Sequence, residues 1–160
     1  MDMSLVGERG ARVRFPPPLV FAMGLAAGLV ADRYAFPLVA PVPRPIGLAG
    51  GCLVIALGVS IVASARLLFH RTGQSPIPWK PSPELLLSGP YRFTRNPMYL
   101  GVTLIQAGLG LALDNLWITA FAPLALLAVH FIAVLPEEAY LTEKFGERYR
   151  EYQRSVGRYL

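Results

Sequence analysis

The sequence predicts an all-α polytopic membrane helical bundle: about four transmembrane helices in a single domain, with an amphipathic helix after them. Three observations lead there. Of 160 residues, 54% are hydrophobic and only 16% charged, against roughly a quarter charged in an average soluble domain, and the mean hydropathy is +0.45. Four windows, 15–31, 45–65, 96–113 and 115–136, contain no Asp, Glu, Lys or Arg and run to 17, 21, 18 and 22 residues. About 20 helical residues cross a ~30 Å hydrocarbon layer. The basic residues then cluster in alternate connections. Such a composition excludes a disordered chain, and one water-soluble core of this size cannot bury so much apolar surface. The single cysteine, Cys52, excludes an internal disulfide and a Cys-based metal site, and no metal is expected.

The first span is set at 15–34. Pro16, Pro17 and Pro18 open it, and Asp32, Arg33 and Tyr34 lengthen it by snorkelling. A signal peptide shares the pattern of basic residues before an apolar stretch, but the three prolines and the lack of a small-x-small cleavage site favour a retained helix. The second span is 45–68. In the connection 70–96, Pro76, Pro78, Pro81 and Pro83 surround Trp79, which forbids a helix through its middle. Trp79 and Lys80 suit a membrane interface. The third span, 97–113, has Asn96 as its cap and Pro97 at its first position. A turn at Asp114-Asn115 leads into the fourth span, 116–135, so the two form a hairpin. After Pro136, Leu141, Phe145, Tyr149, Tyr152 and Val156 make an apolar stripe, the mark of an amphipathic helix over 136–156.

Charge sets orientation. Arg9, Arg12 and Arg14 precede the first span, and Arg66, Arg71, Lys80, Arg92 and Arg95 face one acid, Glu84, between the second and third. The positive-inside rule then places the chain in the cell membrane with both termini and the connection 70–96 cytoplasmic. The net charge of +5 reflects topology and anionic membrane lipids rather than nucleic acid. Arg92 and Arg95 read as topology anchors, and His70 as an interfacial bystander.

A hairpin of two spans returns the chain to the side it left, so segment 89–101 and the acids Glu137 and Glu138 fall at one cytoplasmic mouth. Aromatic rings, an amide, helix N-terminal N–H groups and carboxylates at one place fit a ligand with an aromatic base, hydroxyls and a positive centre. The string Gly89-Pro90-Tyr91, Arg95-Asn96-Pro97, Tyr99 and Gly101 precedes Glu137-Glu138, Leu141, Phe145-Gly146, Tyr149 and Tyr152. Together they resemble the isoprenylcysteine carboxyl methyltransferase and phospholipid methyltransferase superfamily over about residues 83–156. The resemblance implies S-adenosyl-L-methionine as cofactor, bound at the cytoplasmic end of the bundle. It implies cofactor contacts from Tyr91, Asn96, Pro97, Met98, Tyr99 and Glu137, with a weaker match at Leu85 and Leu86. Two departures stand out. The superfamily usually has His where this chain has Asn96, and the arginine that holds a prenylcysteine carboxylate is replaced by Ala133.

The expected function is S-adenosylmethionine-dependent methylation of a lipophilic acceptor: an isoprenoid, a phospholipid or a small hydrophobic compound. A nicotinamide-dependent sterol-type reductase, or a non-catalytic membrane protein of the same fold, is the alternative. Tyr99, Thr103 and Gln106 share one helix face, as do His130 and Glu137. Polar groups inside a bilayer turn toward protein or a cavity. This stripe reads equally as a clamp between helices and as a substrate pocket. In the second case Gln106 and His130 contact substrate, and His130 is the one nearby neutral-pH base. Glu138 reads as part of a solvated first helical turn, and Tyr149 and Tyr152 as packing residues.

Overall fold

A computed structural model describes residues 10, 11, 13 and 15–159; Arg9, Arg12 and Arg14 lie outside the described residues. These residues are all-helical, with no strand among them. The helices are α1 (Pro17–Tyr34), α2 (Arg44–Arg71), α3 (Pro97–Ala112), α4 (Leu116–Val129), α5 (Leu135–Phe145) and α6 (Glu147–Ser155), with a 3₁₀ turn at Gly89–Arg92 and a π turn at His130–Val134. Pro17 and Pro97 stand at the first positions of α1 and α3, where a missing N–H costs nothing. Arg44–Arg71 and Leu116–Phe145 are long and apolar enough to cross a membrane by length and composition, whereas Pro97–Ala112 is a shorter apolar helix.

Two expectations are corrected. The helix expected to end near 135 continues without a break from Leu116 to Phe145, carrying Pro136 inside it. Pro136 has no N–H for the carbonyl of Ile132 and its ring crowds that carbonyl. The ladder widens into the π turn just before it instead of breaking. The amphipathic helix expected over 136–156 is divided at Gly146, whose φ of 57° no helix accommodates. The resulting α5 and α6 still bury Tyr149 and Tyr152 as the stripe requires.

The chain forms two compact units. One comprises Pro17–Val62 and Met98–Val129, where α1 packs on α4. In it α2 and α3 meet at glycines: a Cβ on Gly58 would lie 2.5 Å from the Gly101 carbonyl oxygen, and one on Gly51 would lie 2.6 Å from that of Gly108. The hairpin turns at Asp114, with φ at 56°. Its carboxylate accepts from the Ala40 N–H at 3.0 Å, while Asn115 Oδ1 accepts from the Ile118 N–H at 3.2 Å and caps α4. Trp117 Nε1 donates to the Phe36 carbonyl at 2.8 Å, so the 35–43 connection is stitched to the turn.

The other unit comprises the described residues of Met1–Pro16, Ala63–Pro97 and His130–Leu160. Its core joins Leu85, Tyr149 and Tyr152, flanked by Leu87, Leu141, Phe145 and Val156. The Ser82 N–H donates to the Tyr140 hydroxyl at 3.1 Å, which pins the proline-rich connection to α5.

Candidate functional site

The second unit gathers both sequence motifs. Gly89, with φ at 58°, turns the chain into the 3₁₀ turn that presents Tyr91. The ring of Phe69 meets Tyr91 edge-on at 6.2 Å, and the Tyr152 hydroxyl donates to the Tyr91 carbonyl at 2.6 Å. Burial first, then the negative charge of Glu137 and the neighbouring Tyr152, pushes the Tyr91 hydroxyl well above its ordinary range. Tyr91 is therefore a neutral hydroxyl beside a carboxylate, and motif and acid pair do converge.

Glu138 is not solvated, contrary to expectation. It is 8% exposed and lies between two guanidinium groups. Arg158 binds it with two bonds, Nε to Oε1 at 2.9 Å and Nη2 to Oε2 at 2.7 Å. Arg95 Nη1 lies 3.0 Å from Oε1, with both side chains one-tenth exposed. That approach is an ion pair rather than an aligned hydrogen bond, and Arg95 Nε is buried without a hydrogen-bond partner. Arg95 is thus no mere topology anchor: a buried cation needs a counter-charge, and helix α5 brings it one. The Tyr149 hydroxyl is pushed up to about 12 by burial and by Glu138, an effect that Arg95 partly offsets.

Asn96 is buried, and its Nδ2 donates to the Arg158 carbonyl at 3.0 Å. The Thr94 hydroxyl donates to the same oxygen at 3.1 Å, and the Arg95 N–H to the Gly157 carbonyl at 3.0 Å. The strap of residues 156–159 after α6 is thereby fastened along the 94–96 motif. Tyr159 at its far end reaches His130, with Nδ1 and the hydroxyl oxygen 3.0 Å apart. Leu85 spends its side chain in the tyrosine core, and Leu86 is half-buried beside it in sequence. Pro97 is fully buried at the start of α3.

Met98, Tyr99 and Gln106 follow on α3 within the first-described unit. There the Tyr99 carbonyl accepts from the Thr103 hydroxyl at 2.8 Å. Gln106, 4% exposed, directs Nε2 toward the Ile118 carbonyl at 3.4 Å, which is the helix clamp of the two readings. Its Oε1 has no hydrogen-bond partner, and it borders an apolar groove of about 150 Å³ lined also by Phe21, Leu25, Val102, Ile105 and Leu109.

Sequence reasoning missed Glu138, Arg158, Tyr159 and Thr94. A signal existed for Glu138 alone, since adjacent helical residues point about 100° apart and so present two acids to different surroundings. Nothing in residues 156–159 marks a strap. Compared with known families, residues 46–148 match the family described as phospholipid methyltransferase, more than half of the chain. The matched stretch holds the motif and both acids and stops short of the strap. No curated protein matches the chain significantly.

Proposed function

Because the chain belongs to the phospholipid methyltransferase family, we propose that this membrane methyltransferase moves the methyl group of S-adenosylmethionine onto a lipophilic acceptor, the amine of a lipid headgroup. One observation carries the reading: segment 89–96 and the acid pair, some forty residues apart, share one unit. Arg95 and Glu138 are in contact, and the charge of Glu137 acts on Tyr91. The donor set suits the cofactor. Buried Arg95 Nε and Gln74 Nε2 each lack a hydrogen-bond partner and are donors of the kind a ligand carboxylate takes, while the Glu137 carboxylate matches ribose hydroxyls or an ammonium through charge-assisted bonds. The family match favours this donor over a nicotinamide cofactor.

When bound, S-adenosylmethionine would supply an electrophilic sulfonium methyl group, with a neutral thioether as its leaving group. The residues of this chain position and keep the reaction dry. An ammonium acceptor must first lose a proton to expose its lone pair, and His130 takes it at Nε2. Ala133 and Val134 are 0% exposed, so the position where prenylcysteine enzymes place an arginine has no space for one. A prenylcysteine carboxylate would be desolvated there without a partner, at several kcal/mol. The reading includes four membrane crossings with both termini cytoplasmic.

Calorimetric titration of the purified protein with S-adenosylhomocysteine and with NADPH tests the donor; binding of NADPH alone would overturn the reading. With labelled S-adenosylmethionine, extracted phospholipid amines should be methylated and farnesylcysteine analogues should not. Efficient carboxyl methylation would mean that another cation does the arginine's work.

A further inference from the structure

The strap lies beyond the stretch that the family match covers, yet it holds Thr94, Arg95, Asn96, Glu138 and His130. Its backbone carbonyls at Gly157 and Arg158 take three bonds from Thr94, Arg95 and Asn96. The Arg158 side chain holds Glu138 with two more. So many attachments on four residues fix Tyr159 in place, because each rotation they remove is one that the hydroxyl no longer samples. Tyr159 then meets His130 by hydrogen-bond contact at 3.0 Å and by ring contact, with centroids 6.0 Å apart. On its other side the imidazole meets Phe131 edge-on at 5.1 Å.

An imidazole held at one nitrogen has its tautomer decided there. A neutral ring that donates Nδ1–H to an oxygen leaves its lone pair at Nε2, where a base must have it. A tyrosine hydroxyl serves as that acceptor and stays neutral, with its own proton directed elsewhere. The π turn that begins at His130 releases the ring from the regular helical ladder, and π turns concentrate at functional sites.

We infer that Tyr159 is a positioning residue for methyl transfer, whose phenolic oxygen accepts the Nδ1–H of His130 and leaves Nε2 as the base, and that the strap 156–159 exists to hold it there. This rests on the proposed reading in which His130 takes the acceptor proton. The contact itself is tested independently of that reading.

The chain has two histidines, His70 and His130, so ¹⁵N-histidine labelling yields two imidazoles, with His70→Gln assigning them. In the wild-type protein His130 should show the Nδ1–H tautomer. Tyr159→Phe should move it to a mixture while the His70 signals stay in place. In turnover, Tyr159→Phe should lower kcat roughly ten- to a hundredfold, the range for losing a partner that orients an imidazole, with KM and S-adenosylhomocysteine affinity within about twofold. In a His130→Ala background the same change should have no further effect, since coupled residues are non-additive. Arg158→Ala, which loosens the strap and keeps the phenol, should shift the tautomer in the same direction as Tyr159→Phe. Identical His130 spectra in wild type and Tyr159→Phe would overturn the inference, as would an undiminished loss in the His130→Ala background. Absence of any methyl transfer by a protein that shows the tautomer shift would sink the functional reading and leave the contact standing.

Discussion

Glu137 and Glu138 are neighbours, but a helix turns about 100° between them, and that rotation separates their work. Glu138 is the counter-charge of two arginines. Removing one partner of a buried pair leaves an uncompensated charge, so Glu138→Gln should destabilise the protein by about 3–5 kcal/mol, read as a fall in thermal midpoint in detergent. Glu137→Gln should weaken S-adenosylhomocysteine binding by on the order of 1.5–3 kcal/mol, the scale of a charge-assisted bond, and Glu138→Gln should weaken it much less. Equal losses of binding in the two variants would refute the division. Tyr149 supplies a pH signature. Its hydroxyl is raised in the folded protein from an ordinary 10.0 to about 12, so the folded state holds the proton longer than the unfolded one. Its contribution is complete below about pH 10 and is lost as pH rises through about 12. Thermal midpoints measured across the alkaline range should fall in wild type and fall less in Tyr149→Phe. The motif itself was legible at this scale, because residue types at fixed spacing are what a sequence records. The ion pairing of Glu138 was not, since it depends on arginines twenty and more than forty residues away.

At the scale of elements, α2 and α3 approach backbone to backbone. Alanine at Gly58 or Gly51 puts a methyl carbon 2.5 Å or 2.6 Å from a carbonyl oxygen of the facing helix, and a backbone cannot swing aside as a side chain does. Each substitution should cost about 1–3 kcal/mol as the helices are forced apart. Gly50→Ala has nothing within 4 Å and should be neutral or gain up to about 1 kcal/mol from helix propensity. Thermal scans of the three variants check this, and a destabilised Gly50→Ala would contradict the assigned contact face. The helices' existence, their proline-marked starts and the turn at Asp114-Asn115 were all readable, for apolar run length and turn chemistry act locally. Two features escaped. Pro136 looked like an end because proline usually is one; the π turn absorbs it instead. Gly146 was read through because the stripe on either side keeps its period.

At the scale of the molecule, large apolar side chains stand exposed along α2, among them Leu53 at 71% and Leu57 at 54%, beside the lone and exposed Cys52. An outward surface of this kind is at home in hydrocarbon. In membranes, Cys52 should resist a charged, impermeant thiol reagent and react with it after detergent extraction; full labelling in intact vesicles would contradict a bilayer-facing α2. Reporters fused after the last residue should be active in the cytoplasm alone, as the positive-inside pattern requires. The expected orientation follows from a simple count of basic residues per connection. The division into two units was not legible, because it depends on contacts between distant stretches. Each unit is assembled from separate pieces of chain, Pro17–Val62 with Met98–Val129 in one and Ala63–Pro97 with His130 onward in the other. During synthesis, then, the methyl-transfer motif leaves the ribosome long before its counter-charge and its strap exist. A nascent chain halted after Ser155 carries every residue of the family pattern and still leaves the Arg158 side of Glu138 and Nδ1 of His130 without partners. The contacts that close this unit therefore depend on residues 156–159, which follow every residue of the family pattern in the order of synthesis.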